Sequence, residues 1–160
     1  MGVAPRLLLS DVHPGDPLPD LVYDVTPTTV VLGALATRDW RPMHHDKDFA
    51  QNRNGVRDIF LNTPNQAAWF ERYLTDWSGP HGRLARMRFR MKDSVFPGDR
   101  MRFRARVEKV EKDAGGCGFV ELAVTLSVGD RICTECQARI ALPADPAHNP
   151  WKLKGEHWRP

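Results

Sequence analysis

A chain of 160 residues fits one domain with a sizeable core and leaves little room for a second. Hydrophobic residues at 41% and charged residues at 27% exclude a largely disordered protein, and no apolar run approaches a membrane span. The formal net charge is only +3, so charge does not mark a nucleic-acid binder.

Residues 1–20 hold Pro14, Gly15, Asp16, Pro17 and Pro19, which predicts an irregular segment draped over the domain. The leucines within Met1–Leu9 make too short a run for a signal-peptide core, and no small-residue cleavage site follows. Three cysteines, an odd number, fit a reducing compartment better than a disulfide framework, so a cytoplasmic protein is expected. Leu21–Val25 reads as a first strand. Thr26 can then cap a helix with Pro27 at its first position and Val31, Ala34 and Leu35 on one face.

That helix delivers the chain to Asp39-Trp40-Arg41-Pro42-Met43-His44, which crowds a carboxylate, an imidazole and a rigid turn together. On a helix Asp39 and His44 would not converge. Pro42 cannot continue a ladder and pushes Arg41 toward extended geometry, so the segment should bend back and aim both side chains into one pocket. A carboxylate and an imidazole that share one water form a general acid/base pair. His45 beside His44 invites a metal reading, but adjacent loop histidines seldom converge, and Asp46 and Asp48 suit the charged first turn of a short helix. No metal site is expected.

Gln51–Arg57 is polar and carries the turn signal Asn54-Gly55. Asn62 or Thr63 can cap the main helix, with Pro64 in its first turn, Ala67, Phe70, Leu74 and Trp77 on its stripe, and Gly79-Pro80 ending it. Trp69 and Tyr73 widen the apolar face, which predicts a buried helix. The period then switches to two. Ala85, Met87, Phe89 and Met91 alternate with Arg86, Arg88, Arg90 and Lys92; Met101, Phe103, Ala105 and Val107 alternate with Arg100, Arg102, Arg104 and Arg106. Pro97-Gly98-Asp99 marks the turn between these strands. Phe119–Val128 and Arg131–Leu142 add two more, joined at Gly129-Asp130 and preceded by the turn signal Gly115-Gly116. The pattern licenses an α+β fold with an antiparallel sheet.

Phe89 and Phe103 fall opposite the arginines, so the basic face lacks the exposed rings of a stacking platform, and no nucleic acid is expected. A solvated outer face is the simplest reading; contact with coenzyme A phosphates or a partner's acids is the alternative. Cys133 and Cys136 form a C-x-x-C on a strand, where positions three apart should face opposite sides and cannot share a metal. Residues 143–160 carry Trp151 and Trp158 among basic residues, and this tail should lie on its own domain or on a partner.

Asp39 to Ala50 completes D-x-x-P-x-H-x-D-x-x-x-A, which resembles the signature of the MaoC-like, (R)-specific enoyl-CoA hydratases, a hotdog-fold family. Arg41 and Arg38 stand where that family usually has Asn and Gly. Ala36-Thr37-Arg38-Asp39, His44-His45-Asp46, Asp58-Ile59-Phe60-Leu61-Asn62 and Arg72-Tyr73-Leu74-Thr75-Asp76-Trp77 are similar to the small subunits of bacterial steroid side-chain hydratases. The likeness covers about residues 20–142, and residues 21–142 are taken as a single hotdog domain, a sheet wrapped around a long central helix.

The resemblance implies that Asp39 and His44 hold a water for addition to a 2-enoyl-CoA thioester, Asp39 as the base and His44 orienting the water and moving its proton. No cofactor is then needed, since coenzyme A is part of the substrate. Donors to the thioester oxygen should come from the start of the aromatic helix, where free N–H groups and the positive dipole end coincide, at Asn62 and Thr63. Trp69, Phe70 and Tyr73 are candidates to line an acyl pocket. The family also implies a second hotdog subunit, in a heterodimer or heterotetramer, with a homodimer as the alternative. A non-catalytic acyl-CoA-binding or structural subunit, and a hotdog thioesterase, are the competing functions.

Overall fold

The period-two stretches become a five-stranded sheet, seen in a computed structural model that describes residues 7–112 and 117–159. Its strands are β1 (Leu21–Asp24), β2 (Arg83–Met91), β3 (Arg100–Lys112), β4 (Gly118–Val128) and β5 (Arg131–Leu142). Every neighbouring pair is antiparallel, in the order β1-β3-β4-β5-β2. The two arginine-rich strands, consecutive in sequence, therefore lie apart: β3 sits inside the sheet and β2 at one edge. Gly98, with φ of 86°, turns the chain at Pro97-Gly98-Asp99 toward β1 rather than into a hairpin, and its amide donates to the Val25 carbonyl at 2.8 Å. The Gly115-Gly116 turn lies outside the described residues.

Three helices complete the domain: α1 (Pro27–Ala36), α2 (Lys47–Asn54) and α3 (Thr63–Ser78). Thr26 caps α1 by accepting from the Thr29 amide at 3.1 Å. The buried residues of α1 are Val30 and Ala34, whereas Leu32 and Leu35 are exposed, so the expected Val31/Ala34/Leu35 face is displaced by one position. Asp46 caps α2 through the Phe49 amide, and Gly55 ends it in the left-handed conformation at φ of 67°.

Asn62 caps α3, whose buried stripe includes Gln66, Phe70, Tyr73 and Leu74. This stripe packs on the inner side chains of the sheet; Phe70 meets Phe103 edge-on with centroids 5.1 Å apart. The helix is not wholly buried as its aromatic content suggested, because Ala68, Arg72 and Asp76 remain exposed. Helix α1 comes close to α3 at Gly33, where a Cβ would stand 1.8 Å from Asn65 Nδ2. Glycine there lets Asn65 reach the Thr29 carbonyl at 3.3 Å and locks the two helices together.

The two cysteines of C-x-x-C correct a premise. They share one core cluster instead of facing opposite sides, because β5 bulges where Leu126 pairs with Thr134 and Ser127 with Ile132, which turns Cys133 inward beside the inward Thr134 and Cys136. Among the described residues no group of three or more His, Cys, Asp or Glu is placed to hold a metal ion, and no helix is long and apolar enough to cross a membrane.

The edges of the sheet differ. Strand β1 has four residues, and residues 15–18 continue its line along β3, with Gly15 and Leu18 donating to Val107 and Ala105. Strand β2 has nine residues and, among the described residues, no neighbour beyond β5. The tail lies on its own domain. The Arg83 guanidinium sits 3.6 Å over Trp158 and 5.6 Å from the Trp151 ring centre, Trp158 tilts on Phe119, and Trp151 Nε1 donates to the Gly82 carbonyl.

Candidate active site

Helix α1 ends at Ala36, and the next two residues set the direction of Asp39. Thr37 Oγ1 folds back on the Gly33 carbonyl at 2.8 Å, and Arg38 takes φ of 53°, the only positive φ at a described residue other than glycine. A left-handed residue there reverses the chain, which explains a position where glycine is the less strained choice. The Asp39 amide then donates to the Ala34 carbonyl at 2.9 Å. Pro42 begins a single 3-10 turn, Pro42–His44, which carries His44 back toward Asp39.

The two side chains expected to converge do so. His44 Nε2 stands 3.5 Å from Asp39 Oδ2; the imidazole is 2% exposed and the carboxylate 10%. His44 Nδ1 lies 2.8 Å from the Phe60 carbonyl, an acceptor only, so Nδ1 carries the proton and donates. That tautomer leaves a lone pair on Nε2, which makes no hydrogen bond among the described residues. Burial lowers the His44 pKa, against the Phe60 carbonyl and Asp39, which raise it. A neutral imidazole lone pair and a carboxylate oxygen thus face one another, two acceptors at a separation that a donor such as water can bridge.

Asp39 is held more tightly than its surroundings in sequence suggest. Arg41 grips it with two parallel bonds, Nε to Oδ1 at 2.7 Å and Nη2 to Oδ2 at 2.6 Å. That guanidinium is the chief cause of an Asp39 pKa far below the usual carboxylate range, assisted by Asn62 and opposed by burial. Asn62 Nδ2 donates to Asp39 Oδ2 at 3.0 Å and lies 2.8 Å from Thr37 Oγ1, while Asn62 Oδ1 accepts from the Asn65 amide at 3.2 Å. One side chain therefore caps α3 and ties it to the Asp39 segment.

Asn62 was expected as a cap of α3, but reading the sequence missed Asn62 and Arg41 as partners of Asp39, and Thr37 and the Phe60 carbonyl altogether. A buried Asn at a helix start is a weak signal, and a carbonyl leaves none in the side-chain alphabet. Thr63 occupies the first position of α3, where its amide has no acceptor within the helix, and it is exposed. Of the acyl-pocket candidates, Phe70 and Tyr73 are buried among core aromatics. Trp69 is half-buried and borders an open cleft between α1 and α3, with Leu32, Gly33, Ala36 and Ala68. Burial pushes the Tyr73 hydroxyl up to about 12, so it stays protonated.

Comparison with known proteins bears on the family and the fold. The MaoC like domain matches residues 12–129. The 3-oxo-4,17-pregnadiene-20-carboxyl-CoA hydratase beta subunit of Mycobacterium tuberculosis is 36% identical over 118 residues, 74% of this chain and 88% of that protein. Among solved structures, the ChsH1-ChsH2 complex from Mycobacterium tuberculosis superposes with a TM-score of 0.74 at 28% identity, covering 81% of this chain and 98% of that one. An (R)-hydratase from A. caviae involved in PHA biosynthesis gives a TM-score of 0.73 over 82% of this chain and 98% of its own, but at 19% identity it speaks for the fold alone. A domain match across most of the sequence and a relative above a third identical place this chain in the MaoC-like family, on the hotdog fold.

Proposed function

We propose that this chain hydrates the double bond of a 2-enoyl-CoA thioester to give the 3-hydroxyacyl-CoA, with Asp39 and His44 holding the water. The observation that carries the reading is the pair of buried acceptors, His44 Nε2 and Asp39 Oδ2, 3.5 Å apart, a separation at which one water can donate to both. The water oxygen bonds to the β-carbon as His44 Nε2 takes one of its protons. The electron pair of the double bond moves toward the thioester oxygen, and the α-carbon then receives the proton back from the imidazolium, so water is added without a cofactor. With Arg41 on it, Asp39 is too weak a base to lead; its charge orients the water and steadies the imidazolium. We therefore assign the base to His44 where the sequence reading gave it to Asp39, supported by the Arg41 clasp on the carboxylate. The Thr63 amide at the start of α3 is the donor we assign to the thioester oxygen.

The substrate we assign is a steroid side-chain thioester, supported by the relative named as a hydratase of such a CoA ester. We assign the chain to a heteromer with a second hotdog subunit, supported by its likeness to a beta subunit and to a two-protein complex. Leu32, Leu35 and Trp40, exposed on the helix and loop that carry Asp39, fit a site closed by another chain. The cytoplasm, where coenzyme A thioesters are processed, suits the buried thiols Cys133 and Cys136.

The test is the loss of enoyl-thioester absorbance on adding the chain to crotonyl-CoA and to a steroid enoyl-CoA, alone and with a second MaoC-like protein. Hydration that depends on Asp39 and His44 supports the reading. No absorbance change in any mixture leaves a binding subunit, and release of free thiol marks a thioesterase.

A further inference from the structure

Most basic side chains on the sheet's outer face are matched within the chain. On β3, Arg100 meets Asp24 at 3.8 Å, and Arg102 and Arg104 meet Asp20 at 3.7 and 3.0 Å. On β5, Arg139 is held by Glu111 and Glu121. Arg106 on β3 stands unmatched by itself among the described residues, whereas strand β2 holds an unmatched row. Arg86, Arg88 and Arg90 are exposed and make no hydrogen bond or ion pair among the described residues. Their neighbours on β5 cannot supply one: Arg86 stands opposite Arg139, Arg88 opposite Gln137, and Arg90 opposite Glu135, whose carboxylate binds Lys92 at 2.5 Å.

This row lies on the open edge of the sheet. Nine residues of β2 present an unpaired side, and the inward Met87 and Phe89 are only partly buried against the core. Such an edge invites another strand. A second copy of this chain, related by a two-fold axis and keeping inner and outer faces continuous, must set an even-numbered residue against an even-numbered one. Any such central register puts arginines opposite or diagonal to arginines, roughly 5 to 8 Å apart, and like charges so placed oppose pairing.

We infer that Arg86, Arg88 and Arg90 form a charge filter on the β2 edge that rejects a second copy of this chain and accepts the edge strand of a different hotdog sheet whose facing outward residues are acidic. This deepens the heteromer reading and rests on it. The filter makes the choice of partner a property of three side chains on the outer face of the sheet.

The filter can be tested with this chain alone, by mass in solution rather than activity, so the result stands whether or not the chain is a hydratase. The triple variant R86E/R88E/R90E converts the edge into the proposed complement. Wild type alone and variant alone should remain monomers at micromolar concentration in low salt, while their equimolar mixture forms a one-to-one dimer about tenfold or more tighter than either self-association. Circular dichroism and the melting temperature confirm that the variant folds, and single R88E should shift the mixture in the same direction by less. A wild-type homodimer as tight as the mixture, or a mixture that stays monomeric, overturns the inference. So does a variant that leaves every association unchanged but raises KM for an enoyl-CoA, which would make the row a ligand surface.

Discussion

The Asp39 segment and the β2 edge are both rich in charge, yet they are completed in opposite ways. Around Asp39 the chain partners the carboxylate with Arg41 and Asn62 and the donor Nδ1 of His44 with the Phe60 carbonyl, and leaves the acceptor His44 Nε2 alone. At the β2 edge three guanidiniums are left over together, in the open. The contrast teaches that a residual unmet group means different things by location. One buried lone pair faced by a carboxylate is a place for a reagent, whereas a row of exposed like charges is a place for another surface.

The sharpest way to separate the two regions is to disable one and watch the other. Asp39→Asn and His44→Ala should each reduce hydration by roughly two to four orders of magnitude, with the association behaviour of the β2 edge unchanged. Steady-state rates and solution mass measured on the same preparations check both halves, and near-normal turnover in either variant would remove the pair from the chemistry. Next in size, Asn62→Ala deprives a charged carboxylate of a donor worth about 1.5–3 kcal/mol, so the rate should fall roughly ten- to a hundredfold. The same change uncaps α3 and should cost about 1 kcal/mol in urea unfolding.

Smaller effects should appear with pH. Because His44 must be neutral to accept a proton, kcat/KM should fall on the acid side through a pKa below the ordinary imidazole value of about 6.5, with no limb from Asp39 in the working range. Arg41 also disfavours the imidazolium, so Arg41→Asn should move that limb to higher pH; an unmoved limb would cut Arg41 from the site's electrostatics. The sign for stability follows. The unfolded chain protonates His44 below about pH 6.5 and the folded one resists, so the folded state loses stability as pH falls through that window. The smallest effect belongs to Arg38→Gly. Relief of the left-handed strain, partly offset by the freer unfolded chain, should raise stability by about 1 kcal/mol or less, read as a small rise in melting temperature.

What could be read from sequence was whatever repeats or punctuates. Thr26-Pro27, Asn62 and Gly79 bounded two helices, and alternation found four strands, because caps and side-chain periods are local properties. Strand order was not legible. Strands β2 and β3 share one alternating arginine pattern, and nothing in either tells an interior strand from an edge, since that depends on which distant strands close in beside it. The inward turn of Cys133 escaped for a related reason: a bulge shifts the phase of a strand without changing its composition. At the site, the convergence of Asp39 and His44 followed from Pro42, while the Arg41 clasp did not. A residue two positions from a carboxylate can reach it only once Arg38 has turned the chain.

The unequal edges of the sheet also limit growth. A sheet with two joinable ends can add units indefinitely and run into fibrils. Here β1 offers four residues flanked by Pro17 and Pro19, so little backbone on that side can be extended. Only the β2 end is long enough to join, so this chain can end a longer sheet but cannot continue it. Copies of this chain thus have no route to an open-ended ribbon along the sheet.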